Sequence, residues 1–144
     1  MNKSIAIASD HAGYLMKLEI IKYLKKLDYT VKDFGTNSSQ SVNYADFGHP
    51  LAEAVEKGEY TLGISLCGSG NGINMVTNKH QGIRGALCWN SEIARLARSH
   101  NDSNICSLPA RFIDLDMAKE IVDVFLNTSF EGGRHQERIA NIPV

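Results

Sequence analysis

No stretch of this chain stays apolar for the roughly 20 residues that a membrane-spanning helix needs, so no membrane partner is expected. Neither sign of charge dominates: 15 basic residues face 16 acidic ones, a formal net charge of −1. That balance removes any global electrostatic case for binding nucleic acid or an anionic lipid surface. Cysteine is scarce as well. Cys67, Cys88 and Cys106 are odd in number and widely spaced, and no Cys-x-x-Cys pair occurs. A disulfide framework and a structural zinc site are both excluded on that pattern, and a reducing cytoplasm, where a thiol stays free for chemistry, is the compartment it suits. The amino-terminal MNKSIAIASDHAG carries one lysine and a short apolar run cut off at Asp10 and His11, which reads as a first strand and not a signal peptide. Internal repeats, low-complexity segments and breaks in composition are missing too, so residues 1–144 are read as a single domain.

What is present is an alternation of short β-type runs with helical patterns. With 144 residues and 43% hydrophobic content the chain is long enough to bury a core without staples. Strands are expected at 4–9, 30–34, 60–66, 82–88 and 103–108. Helices are expected at 12–27, 46–57, 72–79, 91–99, 114–126 and around 136–140. In the first helix Leu15, Leu18, Ile21 and Leu24 recur on what should be its buried face. Such alternation implies βαβ units, hence an α/β fold with a parallel sheet covered by helices on both faces. Ligands of such sheets sit beyond the carboxyl ends of the strands, where SDHAG and CGSGNG follow strands one and three. SHND, just before strand five, is expected to join them.

The segment LGISLCGSGNGIN places a thiol at the mouth of a glycine loop. Gly68, Gly70 and Gly72 make G-x-G-x-G after a third strand, not the G-x-G-x-x-G of a dinucleotide site after a first strand, and no Gly-Lys-Ser/Thr follows for a Walker loop. A cysteine phosphatase needs an arginine six residues after its cysteine, and position 73 is Ile73. No nucleotide cofactor is therefore expected. What remains is a loop of backbone N–H groups running into a helix start, an arrangement that stabilises a phosphate or a developing oxyanion and favours a thiolate beside it. On this segment alone, a small buried cysteine followed by a turn accounts for the residues equally well.

The other polar groups each have two readings. Asp10 and His11 close strand one, as a helix cap with a surface histidine or as ligands. His100, Asn101 and Asp102 follow an arginine-rich helix and suit a charge–dipole pairing at its end. Arg134 and Arg138 are four apart, so one helix face would present both, as a phosphate clamp or as an exposed charged tail. Tyr44 is packing or contact. His49, His80 and His135 have no partner at helical or hairpin spacing and read as surface histidines; no His/Asp/Glu set shows metal spacing, so no metal is expected.

Taken together, SDHAG (9–13), CGSGNG (67–72), NKHQGIRGALC (78–88), SHNDSN (99–104) and GGRHQERI (132–139) resemble the ribose/galactose isomerase family, the type B ribose-5-phosphate isomerases with the galactose-6-phosphate and allose-6-phosphate isomerases. The resemblance covers nearly the whole chain. It implies a three-layer α/β/α Rossmann-like fold with a five-stranded parallel sheet, a homodimer or dimer of dimers, and a metal-independent, cofactor-free interconversion of ribose 5-phosphate and ribulose 5-phosphate in the pentose phosphate pathway. It further implies Cys67 as the base moving a proton between C2 and C1, with His100 and Asp10 assisting ring opening. Gly68, Ser69, Gly70, Asn71 and Gly72 would hold the enediolate oxygens, Ser69 standing where threonine is more frequent. Tyr44 and Asn101 would lie beside the sugar; His11, Arg134 and Arg138 would bind the phosphate, and Arg111 would add a contact. Asn71 replaces a frequently apolar residue, and Ala45 a usual proline. The alternatives are a hexose-6-phosphate isomerase, a non-catalytic phospho-sugar binding module, and a hydrolase using Cys67 as nucleophile.

Overall fold

A computed structural model describes residues 3–144; Met1 and Asn2 of the expected 1–144 domain lie outside the described residues. Five strands form one parallel sheet: β1 (Ser4–Ser9), β2 (Thr30–Asp33), β3 (Leu62–Cys67), β4 (Gly85–Leu87) and β5 (Ile105–Pro109), in the spatial order β2-β1-β3-β5-β4. Six helices connect or follow them: α1 (Tyr14–Lys26), α2 (Tyr44–Glu56), α3 (Asn71–Thr77), α4 (Ser91–Asn101), α5 (Leu115–Asn127) and α6 (Arg134–Ala140). The three-layer α/β/α expectation is met, and every expected element exists. Strand alternation explains the layers. Ile5 and Ile7 of β1 pack with Ile20 and Leu24 of α1, Ala94 and Ala97 of α4, and Ile121 and Phe125 of α5. Ala6 and Ala8 turn to the opposite face, against Leu51, Ala52 and Val55 of α2.

The buried face of α1 differs from the expected one. Leu15 and Leu18 are 68% and 38% exposed, whereas Lys17, Ile20 and Leu24 are fully buried. Lys17 accounts for the rotation. Its ammonium donates to Asp33 Oδ1 at 2.7 Å and to the Thr36 carbonyl at 2.6 Å, so a charge that hydropathy assigns to water is paired inside. The strand order reverses direction at β1, with β2 on one side and β3 on the other. That crevice, beyond the carboxyl ends of β1 and β3, is where an open α/β sheet receives its ligand.

Candidate active site

At the β1/β3 crevice a cleft of about 580 Å³ is lined by Asp10, His11, Tyr44, Cys67, Gly68, Ser69, Gly72, Arg111 and Phe112, among others. Asp10 continues the ladder from β1 through its N–H to the Leu66 carbonyl at 3.1 Å, and its carboxylate accepts the Gly13 N–H at 3.1 Å. Asp10 therefore closes the turn ahead of α1, whose N-cap is Gly13 and not the expected aspartate, and lines the cleft as well. Gly13 is required there, because a Cβ would stand 2.6 Å from Leu66 Cβ. His11 Nδ1 accepts the Val42 N–H at 3.1 Å, which fixes the tautomer: the proton of the neutral ring sits on Nε2, a donor.

Cys67 ends β3, 4% exposed, with its carbonyl accepting the Ala110 N–H at 3.0 Å. The loop beyond it is shaped by close approaches. Arg111 lies across Gly68, where a Cβ would meet its Cδ and Nη1 at 3.3 Å, and the Arg111 N–H donates to the Gly68 carbonyl at 2.9 Å. Gly70 has φ +77° and would drive a side chain into Leu87 at 2.5 Å. The Tyr44 ring covers Gly72, with a Cβ there 2.5 Å from Cζ. Ser69 Oγ accepts the Asn71 N–H at 3.2 Å, while Asn71 itself opens α3 with its side chain exposed. The two other thiols are fully buried. The hydrogen bond with Cys88, followed by burial, holds Cys106 well above the usual thiol range.

His100, Asn101, Arg134 and Arg138 are elsewhere. Asn101 ends α4, and Arg84, just ahead of β4, donates to its carbonyl at 3.1 Å; the Arg84 carbonyl in turn accepts the Asn104 N–H at 3.0 Å. These residues thus sit at the amino ends of β4 and β5. Cys67 pairs with Pro109 at the carboxyl end of β5, and Gly63 with Ile105 at its start. Four residues separate the two ends, roughly 13 Å along the strand. The expectation that SHND joins the other motifs at the carboxyl edge is corrected: α4 runs antiparallel to the strands and delivers its last turn to the opposite edge. Asp102 takes the plain charge-pairing role, held by Arg98 at 3.0 Å and Arg84 at 3.3 Å.

α6 packs against this end of α4, with the Glu131 N–H donating to the Ser99 carbonyl at 2.9 Å. His135, read from the sequence as a surface histidine without a partner, is 7% exposed and stacks on His100, ring centroids 4.2 Å apart and planes 16° from parallel. Burial, then the neighbouring His100 ring and the Arg134 guanidinium, hold its pKa below the ordinary imidazole value. His100, Glu131 and His135 bring three ligand-type atoms within 4.8 Å of one another, a grouping that sequence spacing did not reveal because two segments supply it. His49 and His80 meet across 31 residues, Nδ1 to Nε2 at 2.8 Å in exposed surroundings, a partnership outside helical or hairpin spacing. Phe112, 76% exposed at the cleft rim, was missed; its place just after the carboxyl end of β5 was the available signal.

The sequence profile of the ribose/galactose isomerases matches residues 5–142. The chain belongs to that family. It is 41% identical over 140 residues to ribose-5-phosphate isomerase B of Escherichia coli K12, covering 97% of this chain and 94% of the relative. Among solved structures, ribose-5-phosphate isomerase B of Clostridium thermocellum superposes with a TM-score of 0.95 at 51% identity, covering 96% of this chain and 94% of that one. The Mycoplasma genitalium enzyme, solved with bound ribulose 5-phosphate, gives 0.93 at 41% identity over 96% and 93% of the two chains. Both clusters of this family member, the cleft at the carboxyl edge and the His100 group at the amino edge, lie within the matched residues.

Proposed function

We infer that this chain is an aldose–ketose isomerase that interconverts ribose 5-phosphate and ribulose 5-phosphate through an enediolate. The observation that carries the reading is the cleft at the β1/β3 crevice, where one thiol meets a glycine loop, a carboxylate and a histidine presenting Nε2–H. The relatives named ribose-5-phosphate isomerase B, one of them holding ribulose 5-phosphate, support a pentose over a hexose phosphate.

In this reading Cys67, as thiolate, removes the proton from C2 of the opened aldose. The electron pair passes to the carbonyl, and the loop from Gly68 to Gly72 stabilises the resulting enediolate oxygens. The proton returns to C1 while the O2 hydroxyl proton passes to O1, giving the ketose. His11 donates to the phosphate through Nε2–H, Asp10 and Tyr44 contact the sugar, and Arg111 stands over the loop. His100, Asn101, Arg134 and Arg138 serve the same reaction from a second copy of the chain, because their own copy holds them at the far edge of the sheet. The acting unit is accordingly a homodimer, alone or paired into a dimer of dimers, of single-domain subunits working in the cytoplasm.

The deciding experiment assays the purified protein on ribose 5-phosphate, allose 6-phosphate and galactose 6-phosphate, each with and without EDTA. Turnover of the pentose phosphate at the highest kcat/KM, insensitive to chelation, is the expected result. Preference for a hexose phosphate, or activity lost to EDTA and regained with a divalent ion, overturns it.

A further inference from the structure

Beneath the glycine loop, the sheet face that carries α3 holds two serines amid apolar neighbours. Ser65 of β3 and Ser107 of β5 are register partners, both fully buried, with hydroxyl oxygens 2.6 Å apart. Ser107 Oγ also lies 3.0 Å from Asn74 Oδ1 on α3. An amide oxygen only accepts, so Ser107 donates to Asn74, and Ser65 must then be the donor to Ser107. The three side chains form one oriented chain from β3 through β5 into the helix.

The same helix is fastened at its other end. Asn78 accepts the Gly85 N–H at 2.8 Å and donates to the Gly85 carbonyl at 3.0 Å and the Asn74 carbonyl at 3.1 Å. Asn74 is one turn past Gly70, whose carbonyl accepts the Asn74 N–H at 3.2 Å. Fixing Asn74 therefore fixes the turn that leads out of the glycine loop. On the same sheet face, Ala6 and Ala8 of β1 pack against α2 without any such bonds. Replacing both partners of a buried hydrogen bond with apolar groups is close to neutral for stability, so stability alone does not call for hydroxyls here. A hydrogen bond sets a distance and a direction that apolar contact leaves loose.

We propose that Ser65, Ser107 and Asn74 are positioning residues that hold the loop from Gly68 to Gly72 in register with the Cys67 thiol. The proposal rests on the reading that this loop and thiol are the reacting groups. Its test uses Ser107→Ala, which breaks both links, Ser65→Ala, which removes one, and Ser107→Thr, which keeps the hydroxyl. Kinetics on ribose 5-phosphate are measured beside the rate of Cys67 alkylation by iodoacetamide, with circular dichroism reporting folding.

In Ser107→Ala, kcat should fall about tenfold, short of the ~10²-fold cost of a 1 Å misplacement, with KM little changed. The alkylation rate should move with kcat, Ser65→Ala should fall between, and Ser107→Thr should restore both readouts. A folded Ser107→Ala with wild-type kcat and alkylation rate overturns the proposal. If Ser107→Ala does not fold, Ser65→Ala decides in its place: loss supports the proposal, and wild-type values overturn it. Should the wild-type chain lack isomerase activity, the proposed function fails separately, and the alkylation rates still report whether the chain of hydroxyls governs the thiol's surroundings.

Discussion

The segment around Cys67 suited a small buried cysteine before a turn as well as it suited a reacting thiol; the resemblance of the motifs chose between them, and the structure puts the thiol in the cleft. Asp10 and His11, open in the sequence between a cap with a surface histidine and ligands, line the same cleft. The burial of Lys17 was not legible, since nothing in a hydropathy pattern says that Asp33 and the Thr36 carbonyl will meet an ammonium sixteen or more residues away. The decisive test at this scale is Cys67→Ser, which keeps the shape and replaces the thiol with a hydroxyl too weakly acidic to act as base. It should lower kcat by the ~10²–10⁴-fold typical of a lost general base, with little change in KM. Iodoacetamide should label Cys67 ahead of Cys88 and Cys106, which are fully buried, and activity should fall in step with labelling. Near-wild-type turnover by Cys67→Ser would assign the proton transfer to another group.

At the scale of elements, periodicity located every helix but misjudged which face of α1 is buried, because a paired lysine and two exposed leucines invert the usual pattern. It also gave no sign of the contact between α4 and α6, which rests on His135 lying against His100. That contact has a pH dependence whose sign follows from the lowered pKa of His135. The folded state binds the proton less readily than the unfolded chain. Its stabilising contribution is therefore present above the ordinary imidazole value of 6.5 and is lost as the pH falls below it. His100, Arg134 and Arg138 all oppose the added charge, and only Glu131 favours it. Thermal unfolding should thus drop more steeply for the wild-type chain than for His135→Phe, which keeps a stacking ring and cannot titrate, as the medium is taken from about pH 7.5 to about pH 5.5. Equal slopes for the two proteins would show that the pair does not feel the proton.

For the whole molecule, the sequence motifs were sufficient to place the chain in its family, but the expectation that they meet at one edge within one chain overlooked the strand direction. Order along the chain fixes the edges once the sheet is parallel: SHND precedes β5 and CGSGNG follows β3, so the two go to opposite ends. If both act on one substrate, a second copy must bring its His100 to the first copy's Cys67, and two-fold symmetry then builds two equivalent sites. Complementation tests this directly. Cys67→Ser and His100→Ala are each expected to be inactive as homodimers. A mixed dimer contains one site with Cys67 from the His100→Ala chain and His100 from the Cys67→Ser chain, both intact, while its other site lacks both. Random pairing after co-expression makes half the dimers mixed, each with one working site of two, so about a quarter of wild-type activity should return. Were His100 to serve the Cys67 of its own chain, every site in every dimer would lack one group, and co-expression would recover nothing.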